Sequence, residues 1–134
     1  MMRFLSRWIP LMGCLLFLSG CGSDDDRQAV SGTVTIKGKP IDGTISFVPA
    51  SNETTQEGST IENGKYSIPR EKGLIPGTYK VKIYSPDNKE VTPDPGGNPF
   101  FAKAKERIPA KYNESTTLTR EVKRGGNAFD FNLD

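Results

Sequence analysis

In the stretch PGTYKVKIY, residues 76–84, Tyr79, Val81 and Ile83 alternate with Thr78, Lys80, Lys82 and Tyr84. Successive side chains of a strand point to opposite faces, so this period of two predicts one apolar and one solvated face. A helix would instead place its apolar residues three and four apart, and no stretch beyond residue 28 keeps that spacing. Residues 77–84 are therefore expected to form a central strand whose apolar side is covered by a second layer.

The same alternation recurs on both sides of it. Val30, Gly32, Val34 and Ile36 alternate with Ser31, Thr33, Thr35 and Lys37. Gly38-Lys39-Pro40 then turns the chain into 41–49, where Ile45 and Phe47 share a face. These two runs read as a hairpin. Residues 59–62 and 65–68 flank Asn63-Gly64, a dipeptide suited to a type I′ turn because both positions tolerate positive φ. In 117–122 Arg120 shares a face with Leu118 and Val122, which suggests an edge. After Gly125-Gly126, Phe129, Phe131 and Leu133 alternate with Asp130, Asn132 and Asp134 in a last strand. The expected fold is all-β, an antiparallel sandwich of about seven short strands over residues 29–134. Its expected core is Val34, Ile36, Ile45, Phe47, Tyr66, Ile68, Tyr79, Val81, Ile83, Leu118, Val122, Phe129, Phe131 and Leu133.

Residues 1–28 read differently. Arg3 and Arg7 precede an apolar run over 8–18, interrupted by Pro10 and Gly13. The run is shorter than the roughly 20 residues a membrane-spanning helix needs, and it has the form of a secretory signal. Leu18-Ser19-Gly20-Cys21 resembles the bacterial lipobox. That resemblance implies that residues 1–20 are removed as a signal peptide and that Cys21 becomes an acylated N-terminus and membrane anchor. Each buried CH₂ contributes about 0.8 kcal/mol, and one chain holds only marginally, so stable attachment needs two or more chains. Residues 21–28 then form a hydrated acidic tether. Gly22 follows the cysteine where an aspartate would favour the inner membrane, so the outer membrane is favoured in a cell that has one. Asp24, Asp25 and Asp26 are adjacent rather than alternating as in a calcium loop, and no metal site is expected there. Cys14 leaves with the signal, so no disulfide is expected.

Composition excludes several activities. The chain has 18 basic and 16 acidic residues. Loss of Arg3 and Arg7 with the signal leaves the two in balance, which gives no electrostatic reason to expect a nucleic-acid partner. Lys103, Lys105, Arg107 and Lys111 cluster, but Glu106 and Glu114 lie among them, as on a solvated face. Histidine is absent, which removes serine and cysteine triads, an imidazole base and His-ligated zinc. No carboxylate sits in a recognisable catalytic motif. No catalytic residue and no cofactor are expected, and the chain reads as a non-enzyme.

The blocks VSGTVTIKGKPIDGTISFVP, IENGKYSI, GLIPGTYKVKI, IPAKYN and NAFDFNL, in this order, resemble the carboxypeptidase-regulatory-like lipoproteins of bacteria. The resemblance covers residues 29–134 and implies a transthyretin-like, prealbumin-type sandwich without catalysis of its own. A related fold in purine breakdown depends on histidines, which this chain lacks. The resemblance carries over no functional residue other than Cys21 of the lipobox.

Residues 86–107 are too long and too rich in Pro and Gly for an ordinary connection. Long loops on rigid sandwiches are often binding surfaces. Phe100 and Phe101 are expected either to tuck a ring onto an open end of the sandwich, the favoured reading, or to join Tyr84 in an exposed recognition patch. Ile108 and Tyr112 are expected to pack inward. Asn52 and Asn113 match a glycosylation acceptor that a bacterial lipobox makes coincidental. The expected function is a lipid-anchored envelope domain for protein interaction, adhesion or envelope organisation. The alternative is a carbohydrate- or peptide-binding module using the 86–107 loop.

Overall fold

In a computed structural model, which describes residues 26–51, 56–97 and 102–134, Tyr79, Val81 and Ile83 face inward from an interior strand of a four-stranded sheet. Among the described residues there is no α-helix, and eleven short strands follow one another. They are β1 Val30–Ile36, β2 Lys39–Pro40, β3 Gly43–Pro49, β4 Glu57–Ile61, β5 Lys65–Ile68 and β6 Gly77–Tyr84. The rest are β7 Pro86–Thr92, β8 Lys103–Glu106, β9 Thr119–Val122, β10 Asn127–Ala128 and β11 Phe131–Leu133.

One sheet has the order β4-β3-β6-β9 and is antiparallel throughout. The other is built around β1. Its N-terminal half pairs with β5 on one side and β10 on the other, and its C-terminal half with β2 and β11. Each flank of β1 is thus a single row broken in the middle, and the two sheets together make the seven rows the alternation predicts. Their inner faces meet in one apolar cluster that joins Val30 and Val34 to Ile45, Phe47 and Val81. The Phe47 ring lies 6.2 Å from Tyr66, 6.5 Å from Tyr79 and 6.4 Å from Phe129, centroid to centroid.

Two expected pairings are corrected. The run 41–49 is not the hairpin partner of β1; only Lys39–Pro40 folds back on it, and β3 crosses to the other sheet. Both runs carry an apolar face, and stacking them in opposite layers buries both faces, whereas side-by-side pairing would leave each in need of a cover. The sandwich is also not wholly antiparallel, because β10 and β11 run parallel to β1. Residues 123–126 carry the chain from the end of β9 across to the other sheet, where it sets out in the direction of β1. The crossing is tied by Asn127, whose Oδ1 accepts the Lys123 amide at 2.9 Å and whose Nδ2 donates to the Lys123 carbonyl at 2.8 Å.

Asn63-Gly64 forms the predicted turn, with φ of 49° and 75°. Its arms pair only at Glu62 and Lys65 and then splay into different sheets. Arg120 occupies the expected edge strand, where its guanidinium stacks on the Phe131 ring, 4.6 Å from the centroid. An inward-pointing charge at an open edge opposes pairing with another chain.

Eleven of the fourteen expected core residues are buried, while Ile36, Leu118 and Phe129 are partly buried and pack against the cluster. Phe129 falls in the break between β10 and β11. There the Asp130 carboxylate takes over the ladder's role, accepting the Thr33 amide at 2.9 Å and its hydroxyl at 2.8 Å. Ile41, Ile61 and Leu74 join the core from positions that alternation left unassigned. Ile108 and Tyr112 pack inward as expected. Gln28, which composition assigns to the tether, is instead 9% exposed and exchanges two backbone hydrogen bonds with Leu74, at 2.8 and 3.0 Å.

The two ends of the sandwich are distinct. Gln28 meets Leu74 and the Gly125 amide at one end, beside the Gly77–Val122 pair. Tyr84, at the other terminus of β6, lies some seven residue steps away, about 23 Å along the strand.

Candidate functional site

The segment read as a long loop is largely a β-hairpin. β7 and β8 pair antiparallel with a register irregularity between Asp87 and Val91. Pro86 starts the first arm, a position where a missing N–H is tolerated. The remaining prolines of the segment, Pro93, Pro95 and Pro99, lie between the two arms. The hairpin leaves the sandwich directly after β6, at the end opposite Gln28.

Its base is a polar knot. Ser85, 1% exposed, donates its hydroxyl to the Asp42 carbonyl at 2.6 Å. Its amide donates to Glu106 Oε1 at 2.8 Å, and the Ile108 amide donates to the same oxygen at 2.9 Å. Arg107 closes the knot, with Nε donating to the Ser85 carbonyl at 3.1 Å and Nη2 to the Ser85 hydroxyl at 2.7 Å. Four polar residues thus fix the exit direction of both hairpin arms, since each buried donor would be costly if left unmade. Nothing in the one-dimensional pattern pointed to Ser85; it lies between Tyr84 and Pro86 and its partners are 21 to 43 residues away.

Tyr84 faces away from the core and donates its hydroxyl to Glu114 Oε1 at 3.1 Å. Partial burial, the Glu114 hydrogen bond and the charges of Glu114 and Glu106 push its phenol above the ordinary value. Phe100, Phe101 and Cys21 lie outside the described residues, so Tyr84 is the one candidate residue whose surroundings are on view. The basic cluster does not converge: Arg107 is spent on Ser85, while Lys111 pairs with the Asp134 carboxylate at 3.0 Å. Tyr112 donates its hydroxyl to that same carboxylate, and Lys111 lies over the Tyr112 ring. This contact fastens the end of β11 to the segment that follows the hairpin.

Asn113 is buried, and its Nδ2 is directed at the carbonyls of Ile83 and Ile108, at 3.4 and 3.3 Å. An amide so engaged is no glycan acceptor in the folded domain. Among the described residues no three carboxylate or thiol side chains gather as a metal site would require. A shallow groove of about 820 Å³ opens where β4 and β5 splay apart, and Ser31, Thr33, Ser59, Thr60 and Ser67 are among the residues that line it. It does not include Tyr84, and its lining is uncharged apart from Glu62 and Lys65. Comparison with protein-family models, with curated proteins and with solved structures gives no match to this chain.

Proposed function

We propose that this chain is a lipid-anchored, non-enzymatic protein of the bacterial cell envelope, acylated at Cys21, whose sandwich holds the 86–106 hairpin away from the membrane for contact with another envelope protein. The observation that carries the reading is the opposition of the two ends. The chain enters at Asp26–Gln28, and the hairpin departs at Ser85, one strand length away. A tether at one end and a clamped projection at the other is the arrangement of a presenting domain. Support for a non-catalytic role comes from the absence of histidine. The order of the sequence blocks supports membership of the carboxypeptidase-regulatory-like, transthyretin-type sandwiches, with secretion and an outer-membrane destination following from the lipobox and Gly22.

Anchoring is tested by Cys21→Ser, which is expected to accumulate as an unprocessed precursor that takes up no labelled fatty acid. Presentation is tested by a photo-activated cross-linking residue at Lys105 on the hairpin and, in a second variant, at Thr119 on the edge of the sandwich. A specific adduct with an envelope protein from position 105, absent from position 119, supports the reading. Adducts at both positions or at neither count against it. Saturable binding of a glycan by the acyl-free domain, lost in Phe100→Ala and Phe101→Ala, would replace it with the carbohydrate-binding alternative.

A further inference from the structure

The connection between β5 and β6 carries an apolar side chain that points out of the domain. Leu74 is buried, whereas Ile75 is 55% exposed, the one exposed large hydrophobic side chain among the described residues. Its position is held by bonds on both sides. Leu74 is clasped to Gln28 through both backbone groups, Arg27 Nη1 donates to the Gly73 carbonyl at 3.1 Å, and the Tyr79 hydroxyl donates to the Ile75 carbonyl at 2.8 Å. With its carbonyl committed inward and its neighbour in the core, Ile75 is held outward by the fold. A cleft of about 270 Å³ beside it is walled in part by Pro49, Leu74 and Tyr79.

The same end carries long cationic side chains. Arg70 and Lys72 are exposed on the 3-10 turn just before Gly73. Arg27, Lys123 and Arg124 lie close by, facing Glu57, Glu121 and Asp26 at 3.9, 3.8 and 2.9 Å. Glu71 is the remaining carboxylate of the turn. Arg and Lys can keep an aliphatic stem along an apolar layer while the charge stays among headgroups.

We propose that this end is a membrane-docking tip, in which Ile75 enters the boundary of the bilayer and the cations around it lie at headgroup level. The proposal rests on the anchoring reading, and the occupant follows from the chain itself. Five residue steps separate Cys21 from Asp26, so an acylated Cys21 holds Asp26 within about 18 Å of the membrane surface. Asp26 is bonded to Arg124 and is two residues from the Gln28–Leu74 clasp, so the Ile75 end is the one the tether keeps at the bilayer. A single isoleucine would hold a free protein poorly. On a tethered one the contact is intramolecular, and the effective concentration set by a short linker makes a small contact sufficient. Docking by this end stands the sandwich upright, with the hairpin outermost.

The test places one new thiol in the full chain, Ile75→Cys or, at the far end, Lys39→Cys, with processing leaving Cys21 blocked by its thioether. The processed protein is reconstituted in protein-free vesicles and exposed to a membrane-impermeant maleimide, with detergent-solubilised protein as the reference. Docking predicts that labelling at position 75 is slowed at least ~10-fold in vesicles relative to detergent, as for a side chain in the headgroup boundary. The thiol at position 39 is expected to react equally in both. Equal labelling at position 75 in vesicles and detergent overturns docking while leaving the anchor intact. Recovery of the protein in the soluble fraction, unacylated, overturns anchoring and docking together. Shielding at position 75 in cells but not in vesicles would assign the tip to a protein partner and overturn the bilayer as its occupant.

Discussion

Glu106 Oε1 accepts the backbone amides of both Ser85 and Ile108, at 2.8 and 2.9 Å, and so binds together the residue before the hairpin and the second residue after it. A carboxylate that collects two main-chain donors stabilises a crossing point that no strand ladder serves. Glu106→Ala leaves both amides without that acceptor, at an expected loss of about 1–3 kcal/mol. Hydrogen exchange is the sharper readout. The amides of Ser85 and Ile108 are expected to exchange faster in the variant, those of β3 and β6 to change only with global stability, and Glu106→Gln, which keeps an oxygen acceptor, to fall between. Unchanged protection at Ser85 would remove the clamp from the account.

How much of this was legible in the sequence depends on the range of the interaction concerned. Alternation depends on neighbouring residues, and it identified the β6 strand, the inward face of Ile45 and Phe47 and the edge position of Arg120. The Asn63-Gly64 turn was legible for the same reason, because positive φ is a property of two residues. Layer assignment was not. Whether Val34 and Ile45 sit side by side or face to face depends on which surface covers which, and one strand's pattern is identical in the two cases. The hairpin at 86–106 was hidden by composition, since Pro86 opens the segment, three further prolines follow Thr92 in the sequence, and the arms Lys103–Glu106 and Pro86–Thr92 carry no apolar alternation. Polar arms need no core, so they leave no hydrophobic signal. The Ser85 knot was hidden by distance along the chain.

Gly32 is required by a close approach. A Cβ built at this position would lie 1.9 Å from the Phe129 carbonyl oxygen, which also accepts the Tyr66 hydroxyl at 2.8 Å. Gly32→Ala must part β1 from the break between β10 and β11, and a loss of about 1–3 kcal/mol is expected, as for overpacking. Gly126→Ala, where the added methyl meets nothing within 4 Å, is expected to stay within about 0.5 kcal/mol. Chemical denaturation of both variants checks the contrast, and equal midpoints would mean that the rows do not meet at Gly32.

The Tyr66 phenol is expected to link the domain's stability to alkaline pH. Burial, reinforced by the Asp130 charge and only partly opposed by Arg120, raises its pKa well above the ordinary 10.0. A raised folded value means that the unfolded chain releases the proton first. The contribution is therefore complete below pH 10 and is lost as the pH rises above it. Tyr66→Phe is expected to be less stable at neutral pH, because the Phe129 carbonyl loses its donor, yet to lose stability less steeply above pH 10. Parallel slopes for parent and variant in that window would show that Tyr66 ionisation is not linked to unfolding.

Val81 and Lys80 are adjacent in β6, yet the fold treats them oppositely. Val81 is fully buried and is paired with Phe47 across the sheet, while Lys80 lies on the outer face opposite Val48. Val81→Asp puts a carboxylate among apolar side chains, with no hydrogen-bond partner provided by the core around it. Ionised, it carries a penalty of several kcal/mol, and protonation only reduces that. The loss is comparable to the whole stability of a domain of this size, on the order of 5–15 kcal/mol, so a largely unfolded protein is expected at ambient temperature. Lys80→Asp reverses a charge where water reaches the side chain, and a change below about 1 kcal/mol is expected. Thermal unfolding by circular dichroism of the acyl-free domain, with the parent beside both variants, separates the two. Comparable losses at positions 80 and 81 would mean that the period of two in PGTYKVKIY is not what a buried sheet reads.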